Sequence, residues 1–289
     1  MSLSLDRMAL DDVGAQPQRI AEAILGQLDY QGGRVAIHSI ARALDIDEIR
    51  TEPLDNLEGA LLTTADRNRG SILVNSKAGP GRQRFTIGHE LGHFLIPSHM
   101  GSDSGFHCSR SDMQISSAGA DETRKRQESE ANRFAIEILA PRRASSAFLD
   151  ASPDIAQILA MAEAFAISRA AAARRFVELH DETVAIVFSK KDRVTYAMRS
   201  EGFPLMAVRQ GELLGLAPQA LRAAARYPVE DADASFWLSS PPRNCELSLQ
   251  TLYQKDDYAM SLLHLVTPDE ETQPDLEDVC DRFAQFNDR

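Results

Sequence analysis

The chain has 289 residues, a formal net charge of −12, and 43% hydrophobic and 26% charged residues. This acidic balance argues against a surface that binds nucleic acid or anionic membrane over its whole area, although it allows a local basic patch. Three widely spaced cysteines indicate no disulfide framework, and no apolar run approaches the roughly 20 residues of a membrane span. The acidic first residues also lack the pattern of a secretory leader, so we expect a cytoplasmic globular protein without a membrane partner.

The first predicted elements are two short helices and three strands. Apolar residues recur at helical spacing over residues 17–30 and 35–44. Short apolar or β-branched runs then predict strands at 49–53, 59–64 and 71–75. An exposed edge strand of such a sheet could hold a substrate backbone in extended form. Which of the strands forms the edge is left open by the sequence.

The next segment, RQRFTIGHELGHFLIP at residues 82–97, is predicted to be a helix that carries an H-E-x-x-H motif. His89 and His93 are four residues apart, so on a helix both imidazoles face the same way and can hold one divalent metal. Glu90 would project beside the open coordination position, where it can take a proton from a water that the metal has made more acidic. The motif is short enough to occur by chance. Its position on an amphipathic helix, with the histidines off the apolar stripe, favours the metal site.

Two further features concern the ends and the packing of this helix. Pro97 disfavours helical geometry at Ile96, so the helix is predicted to stop there. Gly88 and Gly92 flank the histidines and cost about 1 kcal/mol each relative to alanine in a helix. Their presence predicts a close backbone approach, as around a metal and a bound peptide.

A catalytic zinc site usually has three protein ligands, and a second predicted helix offers a third. In residues 121–140, Glu128 falls on the continuous apolar face, whereas Glu130 and Glu137 lie on the opposite, polar face. An unpaired buried carboxylate is costly, so Glu128 should have a partner. A metal ion is one candidate partner, and Arg124, one turn earlier, is another.

Other residues compete for the third position. His99 follows His93 by six residues, the spacing of the longer H-E-x-x-H-x-x-G-x-x-H motif, but Ile96 stands where that motif has a glycine. We therefore favour Glu128 over His99. His107 and Cys108, in the polar loop that follows, are a further alternative, with a role such as stabilising the tetrahedral oxyanion beside the substrate.

Residues 154–180 predict two helices joined by a tight turn, a spacing that resembles a helix-turn-helix. Arg169, Arg174 and Arg175 on the second helix could face phosphate. Plain helix packing is the favoured interpretation, because the chain is acidic and acidic residues follow at once. From residue 181 onward the sequence predicts several strands, one of them at 235–239, and a short helix at 218–226. They carry no chemistry that we can assign.

Two segments together resemble the ImmA/IrrE family of bacterial metallopeptidases. They are RFTIGHELGH at 84–93 and ESEANRFA at 128–135, the second followed by Leu-Ala-Pro at 139–141. The resemblance covers roughly residues 17–142. It implies an α+β fold with a zincin-like peptidase domain over that range.

The resemblance also implies roles for individual residues. His89, His93 and Glu128 would hold the metal, and Glu90 would be the general base. A His₂Glu set suits Zn²⁺, although Mn²⁺ or Fe²⁺ could also bind such ligands. Family members typically cut a helix-turn-helix transcriptional repressor and so release a stress-response or mobile-element programme, which makes such a repressor the expected protein partner here.

These observations give one prediction and one alternative. The prediction is a metal-dependent endopeptidase with a peptidase domain at 17–142, a helix-turn-helix-like segment at 143–180 and a small α/β domain at 181–289. The alternative is a DNA-binding transcriptional regulator in which residues 154–180 contact DNA and the metal is structural or sensory.

Overall fold

Mixed helices and sheets confirm the α+β class. The computed structural model describes residues 3–64, 66–99, 106–108 (backbone only), 122–215 and 227–267. The helix predicted at 218–226, most of the loop 98–121 and the acidic end of the chain lie outside these ranges. The chain divides into two compact units, one comprising residues 1–150 and 156–179, the other residues 151–155 and 180–289.

The helices of the first unit follow the apolar periodicity of the sequence closely. They are α1 (Met8–Asp11), α2 (Pro17–Gln27), α3 (Ile37–Ala43), α4 (Pro80–Leu95), α5 (Glu122–Leu139), α6 (Arg142–Ser146), α7 (Ile155–Phe165) and α8 (Arg169–Leu179). Within the described residues no single helix has the length and apolarity to cross a membrane. Helices α7 and α8 reach that length and apolarity only when they are counted together, and the chain bends by 119° at the break between them.

The first unit also contains a small sheet beside α4. Its strands are β1 (Ile46–Glu52), β2 (Gly59–Thr63), β3 (Gly70–Asn75) and β4 (Phe106–Cys108), in the order β1-β3-β2-β4. β1 runs parallel to β3, and the other pairs are antiparallel. β4 pairs with the first half of β2, with Gly59 opposite Cys108. The edge strand next to β2 therefore comes from the segment that the sequence predicted to be a loop.

Close packing of α4 against α5 explains the two glycines of the metal helix. A Cβ at Gly92 would lie 3.2 Å from both the Cα of Ala131 and the Cβ of Phe134, and one at Gly88 would lie 3.4 Å from the Cα of Ala135. The expected close approach is therefore present, but its cause is the second helix and not a bound peptide. This approach brings Glu128 of α5 to the histidines of α4.

Replacing Gly92 by leucine should destabilise the protein, because the new side chain would meet the backbone of α5. Overpacking of this kind costs about 1–3 kcal/mol. Replacing a helical glycine gains only roughly 1 kcal/mol in helix propensity, so we expect a net loss of stability. Gly26 of α2 is the matched control, since a Cβ there meets nothing within 4 Å. Thermal unfolding of both Gly→Leu variants, carried out without metal, measures the difference in stability between them. Equal stability of the two variants would show that α4 and α5 are not tightly packed at Gly92.

A buried ion pair joins α8 to α5 and corrects two expectations. The Nη2 of Arg175 lies 2.5 Å from the Oε2 of Glu137, and both side chains are almost fully buried. The Nε of Arg175 also donates to the carbonyl of Ala140 at 2.7 Å. Glu137 was placed on the exposed side of its helix, and Arg175 was a candidate contact for phosphate. Both expectations are wrong, because the long Arg175 side chain of α8 reaches Glu137 and pairs with it in the interior.

The second unit is built on an antiparallel sheet. Its strands are β5 (Val184–Lys190), β6 (Arg193–Arg199), β7 (Glu230–Asp231), β8 (Glu246–Tyr253) and β9 (Tyr258–Val266), in the order β6-β5-β9-β8-β7. The strand predicted at 235–239 is instead the short helix α9 (Ala234–Trp237). Its start is set by Asp233, whose carboxylate accepts from the backbone N–H of Ser235, the usual role of aspartate at a helix N-terminus.

Candidate metal centre

Three buried donor groups meet where α4 packs on α5. The Nε2 atoms of His89 and His93 are 3.1 Å apart. The carboxylate of Glu128 lies 3.2 Å from His89 Nε2 through Oε2 and 3.6 Å from His93 Nε2 through Oε1. One turn of helix provides the two histidines, and the glycine-mediated contact with α5 provides the carboxylate. The three residues form a group that could hold a metal ion.

The spacing of the donors fits a single divalent cation. In a tetrahedral zinc site with bonds of about 2.0–2.2 Å, neighbouring ligand atoms lie roughly 3.3–3.6 Å apart. The three separations, 3.1, 3.2 and 3.6 Å, lie around that value. Two imidazoles and a carboxylate also leave a fourth position for a reacting group. The donor set does not distinguish zinc from manganese or iron.

The protonation states of the site suit a cation. Burial lowers the pKa of His93 from 6.5 to about 3, so its imidazole is neutral at physiological pH and has a lone pair to donate. Burial by itself would raise the pKa of Glu128, but the interactions of its carboxylate with the two histidines hold it below its usual value of 4.5. Glu128 is therefore an anion beside the neutral imidazole of His93.

Asn132 orients the first histidine and was not singled out by the sequence analysis. Its Oδ1 lies 3.1 Å from the Nδ1 of His89. An amide oxygen only accepts, so Nδ1 of His89 carries the proton and Nε2 is left with the lone pair that faces Glu128. Asn132 follows Glu128 by one helical turn, and this i, i+4 spacing is the signal that could have identified it.

Glu90 lies outside the group of three donors and beside the sheet. Its side chain is fully buried. A Cβ at Gly59, the first residue of β2, would lie 2.9 Å from the Oε1 of Glu90, so the missing side chain of Gly59 makes room for this carboxylate. The motif glutamate therefore lies between the metal helix and the start of β2, the part of that strand to which β4 is paired.

The alternative ligands take other positions. His99 is buried behind His93, with its Nδ1 2.9 Å from the Nδ1 of His93, and so faces the back of that ring. The structure thus brings Glu128, and not His99, to the two Nε2 atoms. His107 and Cys108 are described only as backbone of β4, and their side chains lie outside what the structure describes.

Two facing helices with a His-His-Glu group, next to a small mixed sheet, define a zincin-like metallopeptidase domain. Residues 43–177 match the family model described as Peptidase_M78, IrrE N-terminal-like domain. The match covers just under half of the chain and confirms the resemblance to the ImmA/IrrE metallopeptidases.

A similar solved structure is titled as a Mycobacterium tuberculosis transcriptional regulator. It has 12% sequence identity and a TM-score of 0.44, and the alignment covers 89% of this chain and 74% of that chain. The comparison with curated proteins found no match.

Proposed function

We propose that this protein is a metal-dependent endopeptidase. The observation that carries the proposal is the convergence of His89, His93 and Glu128 on one point, with Glu90 of the same motif buried on the same helix against β2. The match of residues 43–177 to a peptidase family model also supports it. A buried set of three protein donors, which leaves one of four tetrahedral positions unfilled by the protein, is typical of catalytic zinc sites.

Each residue has a defined task in this proposal. The two imidazoles would bind the ion through Nε2, and Glu128 would bind it through its carboxylate. A divalent ion, when bound, polarises a peptide carbonyl and lowers the pKa of water. Glu90 would accept the proton of the attacking water, and the same carboxyl group can then donate it to the departing amine. Asn132 would hold the ring of His89 in its ligating orientation.

The proposed substrate is a helix-turn-helix transcriptional repressor in the cytoplasm, and its cleavage would alter gene expression, as in a stress response. This choice rests on the family resemblance. The proposed metal is zinc, which a His₂Glu set accommodates well.

A search for newly formed protein N-termini tests this function. The zinc-loaded protein is incubated with a lysate of its source organism, and N-termini are labelled and identified by mass spectrometry. Cleavage at internal positions of a few proteins, a helix-turn-helix regulator among them, is expected. It should disappear with a chelator and return with added zinc. Identical N-termini with and without the chelator would contradict the proposal.

One observation favours the DNA-binding alternative. Helices α7 and α8 are bent by 119° relative to each other, within the range of roughly 90–120° that helix-turn-helix motifs show. Arg169 and Arg174 are exposed on α8. Specific DNA retention that weakens steeply with salt, and with both arginines replaced by alanine, is the expected result for this alternative. Arg175, buried against Glu137, offers no contact to phosphate.

A further inference from the structure

His99 is a fully buried histidine that is not one of the proposed metal ligands. It follows the end of α4, and its backbone N–H donates to the carbonyl of Ile96 at 3.1 Å. A buried imidazole needs hydrogen-bond partners for both of its nitrogens. The structure supplies one on each side: His93 on the metal side and Glu130 of α5 on the other.

These contacts form a continuous chain from the surface to the metal centre. The Nδ1 of His99 lies 2.9 Å from the Nδ1 of His93. The Nε2 of His99 lies 2.9 Å from the Oε2 of Glu130. The other oxygen of Glu130 lies 3.3 Å from the Nε of Arg126, and the Glu130 side chain is 27% exposed. The chain therefore begins at a partly solvated ion pair.

The chemistry of the donors fixes the direction of every hydrogen bond. A carboxylate only accepts, so the proton of His99 must be on Nε2, facing Glu130. The Nδ1 of a neutral His99 is then an acceptor. His93 must therefore donate from its Nδ1, which leaves the lone pair of His93 on Nε2. Nε2 is the atom that faces His89 and Glu128.

We propose that His99 and Glu130 form a positioning relay that makes His93 an Nε2 ligand and strengthens its bond to the metal. This inference rests on the proposed metal site. It gives His93 the support that Asn132 gives His89 directly. Outer partners of metal-bound histidines fix the tautomer and ring orientation and increase ligand basicity. It also gives Glu130, which points away from the metal, a role that reaches the metal through His99.

Zinc affinity, measured by competition with a chelating dye, tests the relay without any need for substrate. His99→Phe keeps a ring of similar size but removes the acceptor for His93. We expect it to weaken zinc binding by about 10–100-fold. His99→Asn places an amide oxygen near the position of the lost Nδ1, and we expect it to recover most of the loss. His38→Phe, at an exposed position of α3, is the matched control and should bind as the wild type does.

A second variant addresses the relay from its outer end, in case His99→Phe does not fold. Glu130→Leu acts at a partly exposed position and leaves His99 in place. It should also weaken zinc binding, because His99 then has no carboxylate to hold its proton on Nε2.

The Co²⁺-substituted protein should show the same visible absorption bands in wild type and His99→Asn, since His99 is not a ligand.

The possible results separate the relay from the metal site itself. Equal zinc affinity of wild type, His99→Phe and Glu130→Leu overturns the relay and leaves the metal site intact. Equal losses in His99→Phe and His99→Asn also overturn it, because an acceptor at the position of Nδ1 then fails to restore zinc binding. A change in the Co²⁺ bands of His99→Asn would make His99 a ligand and so contradict the relay. Absence of zinc binding by the wild type would overturn the proposed function and the relay together.

Discussion

Glu128→Gln should purify without the stoichiometric metal that we expect in the wild type. The substitution preserves the size of the side chain but removes the only carboxylate in the group of three donors. A neutral amide is a much poorer partner for a divalent cation in a buried site. The loss should exceed the roughly 10–100-fold effect of changing an outer partner. Elemental mass spectrometry of both proteins, purified side by side without chelator, measures the metal content.

A matched control for this substitution lies on the same helix. Glu122→Gln, in the exposed first turn of α5, removes the same charge from the chain far from the donors and should retain the metal. If Glu128→Gln holds as much metal as the wild type, the third ligand lies elsewhere. If the wild type holds none even after zinc is added back, the metallopeptidase proposal fails and DNA binding becomes the leading hypothesis.

Glu90→Gln should keep its metal and lose cleavage. Glu90 does not belong to the group of metal donors, so replacing its carboxylate by an amide should leave zinc binding intact. An amide cannot accept the proton of the attacking water, and general acid–base groups contribute about 10²–10⁴-fold to rate. The readout is the rate at which new N-termini appear in the proteins that the wild type cuts. Glu163→Gln, an exposed carboxylate of α7, is the control and should cleave normally.

Together, the two variants distinguish the role of a metal ligand, proposed for Glu128, from that of a general base, proposed for Glu90. Metal loss with loss of cleavage is expected for Glu128→Gln, and loss of cleavage with full metal content for Glu90→Gln. Turnover by Glu90→Gln at the wild-type rate would exclude Glu90 as the general base. Metal loss in that variant would indicate instead that the carboxylate supports the ligands.

The local parts of the site were predictable from the sequence, because they depend on contacts within a few residues. His89 and His93 share a helix face through their i, i+4 spacing, and Pro97 stops α4 at Leu95, the observed end. Glu128 was identified from a single helix wheel, since one carboxylate on an apolar stripe requires a partner. The strand predicted at 71–75 also depends on a local run of apolar residues, and the observed strand β3 adds only Gly70.

The long-range parts required the tertiary structure. A helix wheel shows one buried face, so it could not show that Arg175 of α8 reaches Glu137 on another face of α5 and pairs with it in the interior. The position of His99 depends on how the chain turns after α4 and on where α5 packs, neither of which a motif encodes. Gly92 signalled a close approach, but only the structure showed that α5 is the approaching element. The sequence by itself determined which side chains can bind a metal, and the packing of α5 on α4 decided which of them meet.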